Sequence, residues 1–426
     1  MREPTGWAPA CVSRVSLSFR LSSVLVIPRR STRVAAWRRI LPVTDLAPEP
    51  DVLIACGFPS LESARRRVSE LSAGPLDWPL LFELADQQGL LPLLSRALGG
   101  EGLNQPDDPA RARVLAKIRA VTASKAARSL WMAGELTRIW RNLESAGITA
   151  VAFKGPALAH LAYGNVTLRD STDIDLFVPR EQLGRALDLL AVDGHRKRSE
   201  AWDTGFSGAC EITLQRAGLD WALDLHWRFT PPYFLSFDSG RAVERSIVTG
   251  SAGFAVRTLC PEDHLLYLSI HGARKGWERV RLACDIAALV ARCPLDWDDV
   301  ERQAERTRCR RALGMAVILA HDLCGAPAPR DFVERARRVR AVRELAAEAG
   351  RRIGSATHLA GERGGARFHL RAMESARMKA RYIWRRALQP NQLDAEWIPL
   401  PRGLSAAYYA VRPVRLACTA LRRVFR

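Results

Sequence analysis

The sequence predicts an α+β protein in which a small mixed-sheet module is embedded in a mostly helical chain. Three observations predict it. Apolar residues recur at helical spacing before about residue 146 and again after about residue 259. Short alternating stretches lie around residues 173–178 and 219–229, and glycines punctuate the passage between the two regimes. The 426 residues are enough for two or three domains, and an apolar share of 48% supports a packed core.

Residues 1–48 are rich in arginine and serine, poor in acids and broken by Pro4, Pro9, Pro28 and Pro42. They read as a disordered segment, an organelle transit peptide or sequence translated from a mis-assigned start. Residues 49–146 form an N-terminal helical region. Helices are expected over 78–85 and 90–98, then one or two longer ones over 110–145, with Trp131, Leu136 and Trp140 in the core.

A module over 147–230 follows. A strand at 148–153 leads through a glycine turn into a helix from Pro156 to Tyr163 and then a strand carrying Asp173 and Asp175. Alternate strand residues share a face, so the two acids sit side by side while Ile174, Leu176 and Val178 face a core. Like charges that close call for a cation, and the pair suits one or two Mg²⁺ ions bridging to phosphates. A helix at 180–192 and a hairpin of 211–215 with 219–229 about Gly218 complete the module. Asp224, mid-strand between Leu223 and Leu225, is the candidate third acid. Asp220 shares its face but lies by the turn. His226 faces the same way, either to contact substrate or a metal-bound water or as a histidine satisfied at a sheet edge.

These residues carry a resemblance. Lys154-Gly155, Ala157-Leu158, Tyr163-Gly164, Arg169 and Ser171-Thr172-Asp173-Ile174-Asp175-Leu176, with Asp224-Leu225-His226-Trp227 downstream, resemble the signature of the DNA polymerase β-type nucleotidyltransferase superfamily. The chain most resembles an uncharacterised bacterial nucleotidyltransferase family, and more distantly the nucleotidyltransferase toxins of abortive-infection systems. The resemblance covers about 147–229, with a looser helical pattern beyond.

It implies a Mg²⁺-dependent enzyme that moves a nucleoside monophosphate from a nucleoside triphosphate (NTP) to a hydroxyl acceptor and releases pyrophosphate. Asp173 and Asp175 would hold a two-metal Mg²⁺ site, with Asp224 as third ligand or general base. Gly155 would form the turn that brings backbone amides and a helix N-terminus to the triphosphate. Lys154, Arg169 and Thr172 would lie beside the nucleotide. Pro156 departs from the pattern, because it has no N–H to donate, although it suits a first helical turn. That departure keeps open a catalytically inactive nucleotide-binding or regulatory protein on the same fold, and the basic charge keeps open a toxin-like RNA-modifying enzyme.

After an aromatic linker at 231–237, helices are expected over 259–271 and 278–291. In the resembled family such a helical domain, here 231–353, covers the cleft. His271, Arg274, Lys275 and Arg281 would then bind phosphate or acceptor, although Arg281 and Asp285, at i and i+4, equally make a structural ion pair. Residues 354–426 form a basic C-terminal region: a loop at 354–365, a helix at 368–388 and an aromatic, arginine-rich tail in which Pro413 breaks or starts a helix. The tail fits an anionic membrane surface or RNA, or packs back through Tyr408, Tyr409, Val411 and Leu416.

The formal net charge of +19 either favours polyanionic ligands such as nucleotides, RNA or acidic membrane surfaces, or simply follows from the arginine-rich coding of a GC-rich genome. The nine cysteines include no C-x-x-C pair, which argues against a disulfide framework or zinc site and for a reducing, cytoplasmic setting. No apolar run reaches membrane-spanning length.

Overall fold

Helix-start chemistry shapes the first part of the chain. The computed structural model describes residues 48–99, 108–198, 210–251, 253–354, 365–390 and 392–424. The 1–47 segment and most of the 354–365 loop therefore lie outside the described residues. Four short helices come first: α1 Glu49–Cys56, α2 Leu61–Ser72, α3 Trp78–Gln88 and α4 Leu91–Leu98. Ser60 caps α2 by accepting from Ser63 N–H, Asp77 caps α3 by accepting from Leu80 N–H, and Gly89 closes α3 at φ 67°. The long stretch is one helix, α5 Pro109–Ser145, capped by Asp108. Leu136 is buried on it, whereas Trp131 is exposed and meets Trp221 edge-on at 5.6 Å. Trp131 therefore lies at the margin of the core, and Trp140 is half-buried.

The sheet has seven strands: β1 Val151–Ala152, β2 Asp173–Phe177, β3 His195–Lys197, β4 Glu211–Arg216, β5 Ala222–His226, β6 Ile247–Ser251 and β7 Phe254–Thr258. Their order is β3-β4-β5-β2-β1-β7-β6. It is mixed, because β2 runs parallel to β5 and β1 parallel to β7 while the other pairings are antiparallel. The expected α+β class is the observed one. The helix after the glycine turn is α6 Gly155–Tyr163, and α7 Leu183–Val192 follows β2 after a short 3-10 turn. Gly218, at φ 82°, turns the β4–β5 hairpin as expected.

Strands β3, β6 and β7 were not expected. β3 has only three residues, and on β6 four of five side chains are exposed, so neither carries an apolar alternation that sequence could register.

In the β2–β5 register Ile174 pairs with Leu223, Asp175 with Asp224 and Leu176 with Leu225. Ile174, Leu176, Val178, Leu223 and Leu225 are buried in one cluster with Met132, Leu136, Ile139 and Leu143 of α5 and Leu190 of α7. This cluster fixes which face of the sheet is apolar. A one-residue slip would turn the acids into it.

The opposite face meets a second apolar cluster, built by α1 to α4 with α8 Ser239–Glu244, α9 Pro261–Lys275, α10 Arg281–Arg292, α11 Trp297–Thr307, α12 Arg310–Cys324, α13 Arg330–Arg338 and α14 Arg340–Gly354. Beyond it, the expected 368–388 helix divides into α15 Ala366–Ala372 and α16 Ala376–Leu388, because Ser375 caps a new start by accepting from Met378 N–H. Residues α17 Gln392–Trp397 and α18 Tyr408–Val424 close the chain, and α18 continues through Pro413. Tyr408 packs inward, accepting from Leu400 N–H at 2.8 Å, but Tyr409 is exposed. Among the described residues no helix is long and apolar enough to cross a membrane.

Candidate active site

Three acidic side chains share the sheet face away from the α5 cluster. Asp173 and Asp175 alternate along β2, and Asp224 stands directly beside Asp175 on the parallel neighbour β5. Asp175 is almost fully buried, and the other two are half-buried and line a cleft of about 640 Å³. Asp224 accepts from Thr213 Oγ1 at 2.7 Å across the β4–β5 ladder.

The buried Asp175 uses its two oxygens differently. Oδ1 accepts from Lys154 Nζ at 2.5 Å and lies 3.0 Å from His226 Nε2. Oδ2 is buried and has no hydrogen-bond partner. Burial by itself would raise this carboxyl, but Lys154 and His226 outweigh it and hold it well below the usual carboxylate range. Asp173 and Asp224 move the opposite way, raised first by burial and, in both, by the neighbouring charge of Asp175. Burial opposes the charge on Lys154, and Asp175 more than restores it.

His226 is also buried. Its Nδ1 lies 3.1 Å from Glu211 Oε2, out of line for a hydrogen bond, and its ring stands edge-on to Phe153 at 4.9 Å. Asp175, Asp224 and His226 bring one ligand atom each within 4.8 Å of one another. With His226 Nε2 taken up by Asp175 Oδ1, the oxygen donors of this group, Asp224 and the unpartnered Asp175 Oδ2, fit a divalent cation that prefers oxygen ligands.

The turn before α6 presses on the acids. Gly155 has φ 52°, and a Cβ there would lie 3.2 Å from the Asp173 carbonyl oxygen. Pro156 sits in the first turn of α6, where its missing N–H costs the helix nothing. Thr172 lines the same cleft.

Arg169 is held away from solvent. Its Nε lies 3.1 Å from both oxygens of the fully buried Asp285, and Nη1 donates to Ser171 Oγ at 3.3 Å. Tyr163 donates to the same carboxylate at 2.9 Å. Asp285 thus pairs with Arg169 rather than with its helical neighbour Arg281, which instead donates from Nη1 to the Asp170 carbonyl at 2.7 Å. The Asp170 side chain is gripped by Arg128 at 2.7 Å and by Lys125.

The opposite wall of the cleft comes from α9 and α10. Arg274, Lys275, Arg279 and Arg281 line it together with His271 and Glu278, so the acids face a mostly cationic wall. Burial, then Lys154 and Arg274, push the His271 imidazole well below its usual range, so it is neutral near pH 7. Several members of this site lie outside any motif: Tyr267, Glu211, Lys125 and Arg279. Asp285 had a signal, an acid within the apolar run Leu282-Ala-Cys-Asp-Ile-Ala-Ala-Leu-Val290.

Residues 74–325, more than half of the chain, match the model of a family described as uncharacterised nucleotidyltransferase. The chain belongs to that family. The match takes in the sheet with all three acids and ends just after α12. Four solved chains resemble this nucleotidyltransferase. One is the antibiotic-resistance factor ANT(2'')-Ia, with 18% identity over 43% of this chain and 95% of that chain and a TM-score of 0.31. No curated protein matches. The expected family and enzyme class are therefore those found.

Proposed function

We propose that this nucleotidyltransferase moves a nucleoside monophosphate from an NTP to a hydroxyl acceptor and releases pyrophosphate, with Asp173, Asp175 and Asp224 holding Mg²⁺. The observation that carries this reading is the in-register pair Asp175 and Asp224, with Asp175 Oδ2 buried and unpartnered, at the floor of a cleft with a mostly cationic wall. Bound Mg²⁺ supplies charge neutralisation on phosphate oxygens and lowers the pKa of an oxygen nucleophile.

The chain's own residues do the rest. Lys154 and His226 occupy Asp175 Oδ1 and so fix the carboxylate. Lys275, Arg279 and Arg281 neutralise the triphosphate, a task that Pro156 cannot share through an N–H. Asp224, beside Asp175 in the same cleft, accepts the proton of the acceptor hydroxyl. Holding both partners in one cleft supplies much of the rate.

The test is pyrophosphate release from each radiolabelled NTP with Mg²⁺ and host extract. Asp-dependent release with label on one component is expected for wild type and is lost in Asp173→Asn and Asp175→Asn. Retained turnover in both variants removes the mechanism. Pro156 favours one second reading, a nucleotide-binding protein without catalysis; nucleotide binding without release across all acceptors selects it.

A further inference from the structure

Cysteine spacing in the sequence argues against a zinc site, yet the β4–β5 hairpin brings a mixed sulfur, nitrogen and oxygen set together. Glu211 pairs with His226 across the two antiparallel strands, and Cys210 immediately precedes Glu211. The Cys210 thiol, the Glu211 carboxylate and the His226 ring each bring one ligand atom within 4.8 Å of the others. Strand register makes this group, so no short-spaced motif announces it.

The imidazole points to a ligand. Its side chain is only 3% exposed, and Nε2 lies 3.0 Å from Asp175 Oδ1. A carboxylate oxygen only accepts, so Nε2 donates, and a neutral ring then carries an unshared electron pair on Nδ1. Nδ1 is buried, has no hydrogen-bond partner and lies 3.1 Å from Glu211 Oε2, itself an acceptor. Two acceptors that close call for a proton or a metal between them. A proton fits poorly, because Nδ1 and Oε2 are out of line for a hydrogen bond. A metal fits better, since a carboxylate on the far nitrogen of a ligating histidine is the usual way its ring and tautomer are fixed. Asp175 stands in that position.

Charge and softness select the ion. One thiolate and one carboxylate balance a divalent cation, so it adds no net charge beside Lys154, Arg228 and Arg274, whose fields reach Cys210. Burial, then Glu211, push the Cys210 thiol up to about 12, so it keeps its proton until a metal displaces it. Zn²⁺ accepts such a mixed set, whereas Mg²⁺ demands oxygen. Glu211 is half exposed and lines the catalytic cleft, which gives the ion a way in.

We propose that Cys210, Glu211 and Nδ1 of His226 form a Zn²⁺ site distinct from the acids assigned to Mg²⁺. The two sites share one imidazole, so zinc on Nδ1 would lock the ring whose Nε2 orients Asp175.

The test uses the full chain with its thiols kept reduced and Co²⁺ as a spectroscopic substitute for Zn²⁺. A thiolate-to-cobalt charge-transfer band is expected, abolished by Zn²⁺ and left in place by excess Mg²⁺. Cys210→Ser should remove the band, whereas Asp224→Asn, which touches none of the three ligands, should keep it. Losing a partner that merely orients a ligand costs about 10–100-fold in metal affinity, so losing a ligand should cost no less. Glu211→Gln, at an exposed position, should therefore weaken Zn²⁺ binding at least about tenfold while the far-UV spectrum is unchanged. Zn²⁺ should also raise the melting temperature of wild type but not of Cys210→Ser. Absence of the band overturns the proposal. So does a band that survives Cys210→Ser, a band that Mg²⁺ displaces, or a Zn²⁺ affinity indifferent to Glu211→Gln. None of these readouts requires turnover, so they decide the zinc site whether or not nucleotidyl transfer is found.

Discussion

Arg169 and Asp285, 116 residues apart in the chain, meet in a buried contact in which one guanidinium nitrogen lies 3.1 Å from both carboxylate oxygens. The contact ties the segment that leads into Asp173 to helix α10. Because Asp285 is fully buried and also accepts from Tyr163, removing one partner strands a charge. Asp285→Asn should therefore destabilise by about 3–5 kcal/mol. Arg169→Met combined with Asp285→Asn should cost clearly less than the two single losses together, which denaturant unfolding of all four species measures.

The glycine turn gives a second expectation. Gly155→Ala must adopt φ 52° with a Cβ 3.2 Å from the Asp173 carbonyl oxygen. Left-handed backbone in a residue with a Cβ costs roughly 1–3 kcal/mol. The displaced neighbour is the backbone of a candidate metal-binding strand, so turnover should fall by far more than a stability loss of that size explains. A thermal melt beside the pyrophosphate assay separates the two.

Much of this site was legible because strand parity and apolar context are local properties. Alternation put Asp173 and Asp175 on one face and Ile174, Leu176 and Val178 on the other, and the apolar neighbours of Asp224 marked it for the same sheet. What sequence could not give was pairing over distance. Arg281 and Asp285 sit at i and i+4 and invite a local ion pair, but tertiary packing sends each to a different partner. The β6–β7 hairpin was equally hidden, because β6 is an exposed edge whose side chains follow no apolar rule. Trp131 misled in the other direction, since its helical spacing suits a core but its face of α5 runs out at the sheet margin.

Asp170 predicts a pH dependence of stability. Burial alone would raise its carboxyl, but Lys125 and Arg128 outweigh burial and hold it below its ordinary value of 3.8. A carboxyl depressed in the folded state contributes stability that is complete above the ordinary value and is lost as pH falls through the folded one. Asp170→Asn should thus be less stable than wild type near neutral pH, and the gap should narrow as pH drops below 3.8. Urea unfolding at several pH values tests the sign. A gap that widens toward acid contradicts the assignment.

Chelation gives a fourth expectation. If the acids hold a divalent cation, excess EDTA should abolish pyrophosphate release in wild type, and added Mg²⁺ should restore it. Release that survives chelation would separate the acids from metal chemistry.

His226 tests how the acids are held. It reaches Asp175 Oδ1 through Nε2, so the imidazole and Lys154 together saturate one carboxylate oxygen and leave Oδ2 unpartnered. A residue that acts by orienting a ligand should weaken cation binding when it is removed. Partners of that kind typically matter by 10–100-fold in metal affinity. His226→Ala should therefore bind Mn²⁺ more weakly by about that factor in an EPR titration, whether or not the acceptor is known. His226→Gln, which can still donate to Oδ1, should recover part of the loss. If His226 served only to fill space against Phe153, both variants would lower the melting temperature and leave the Mn²⁺ titration unmoved.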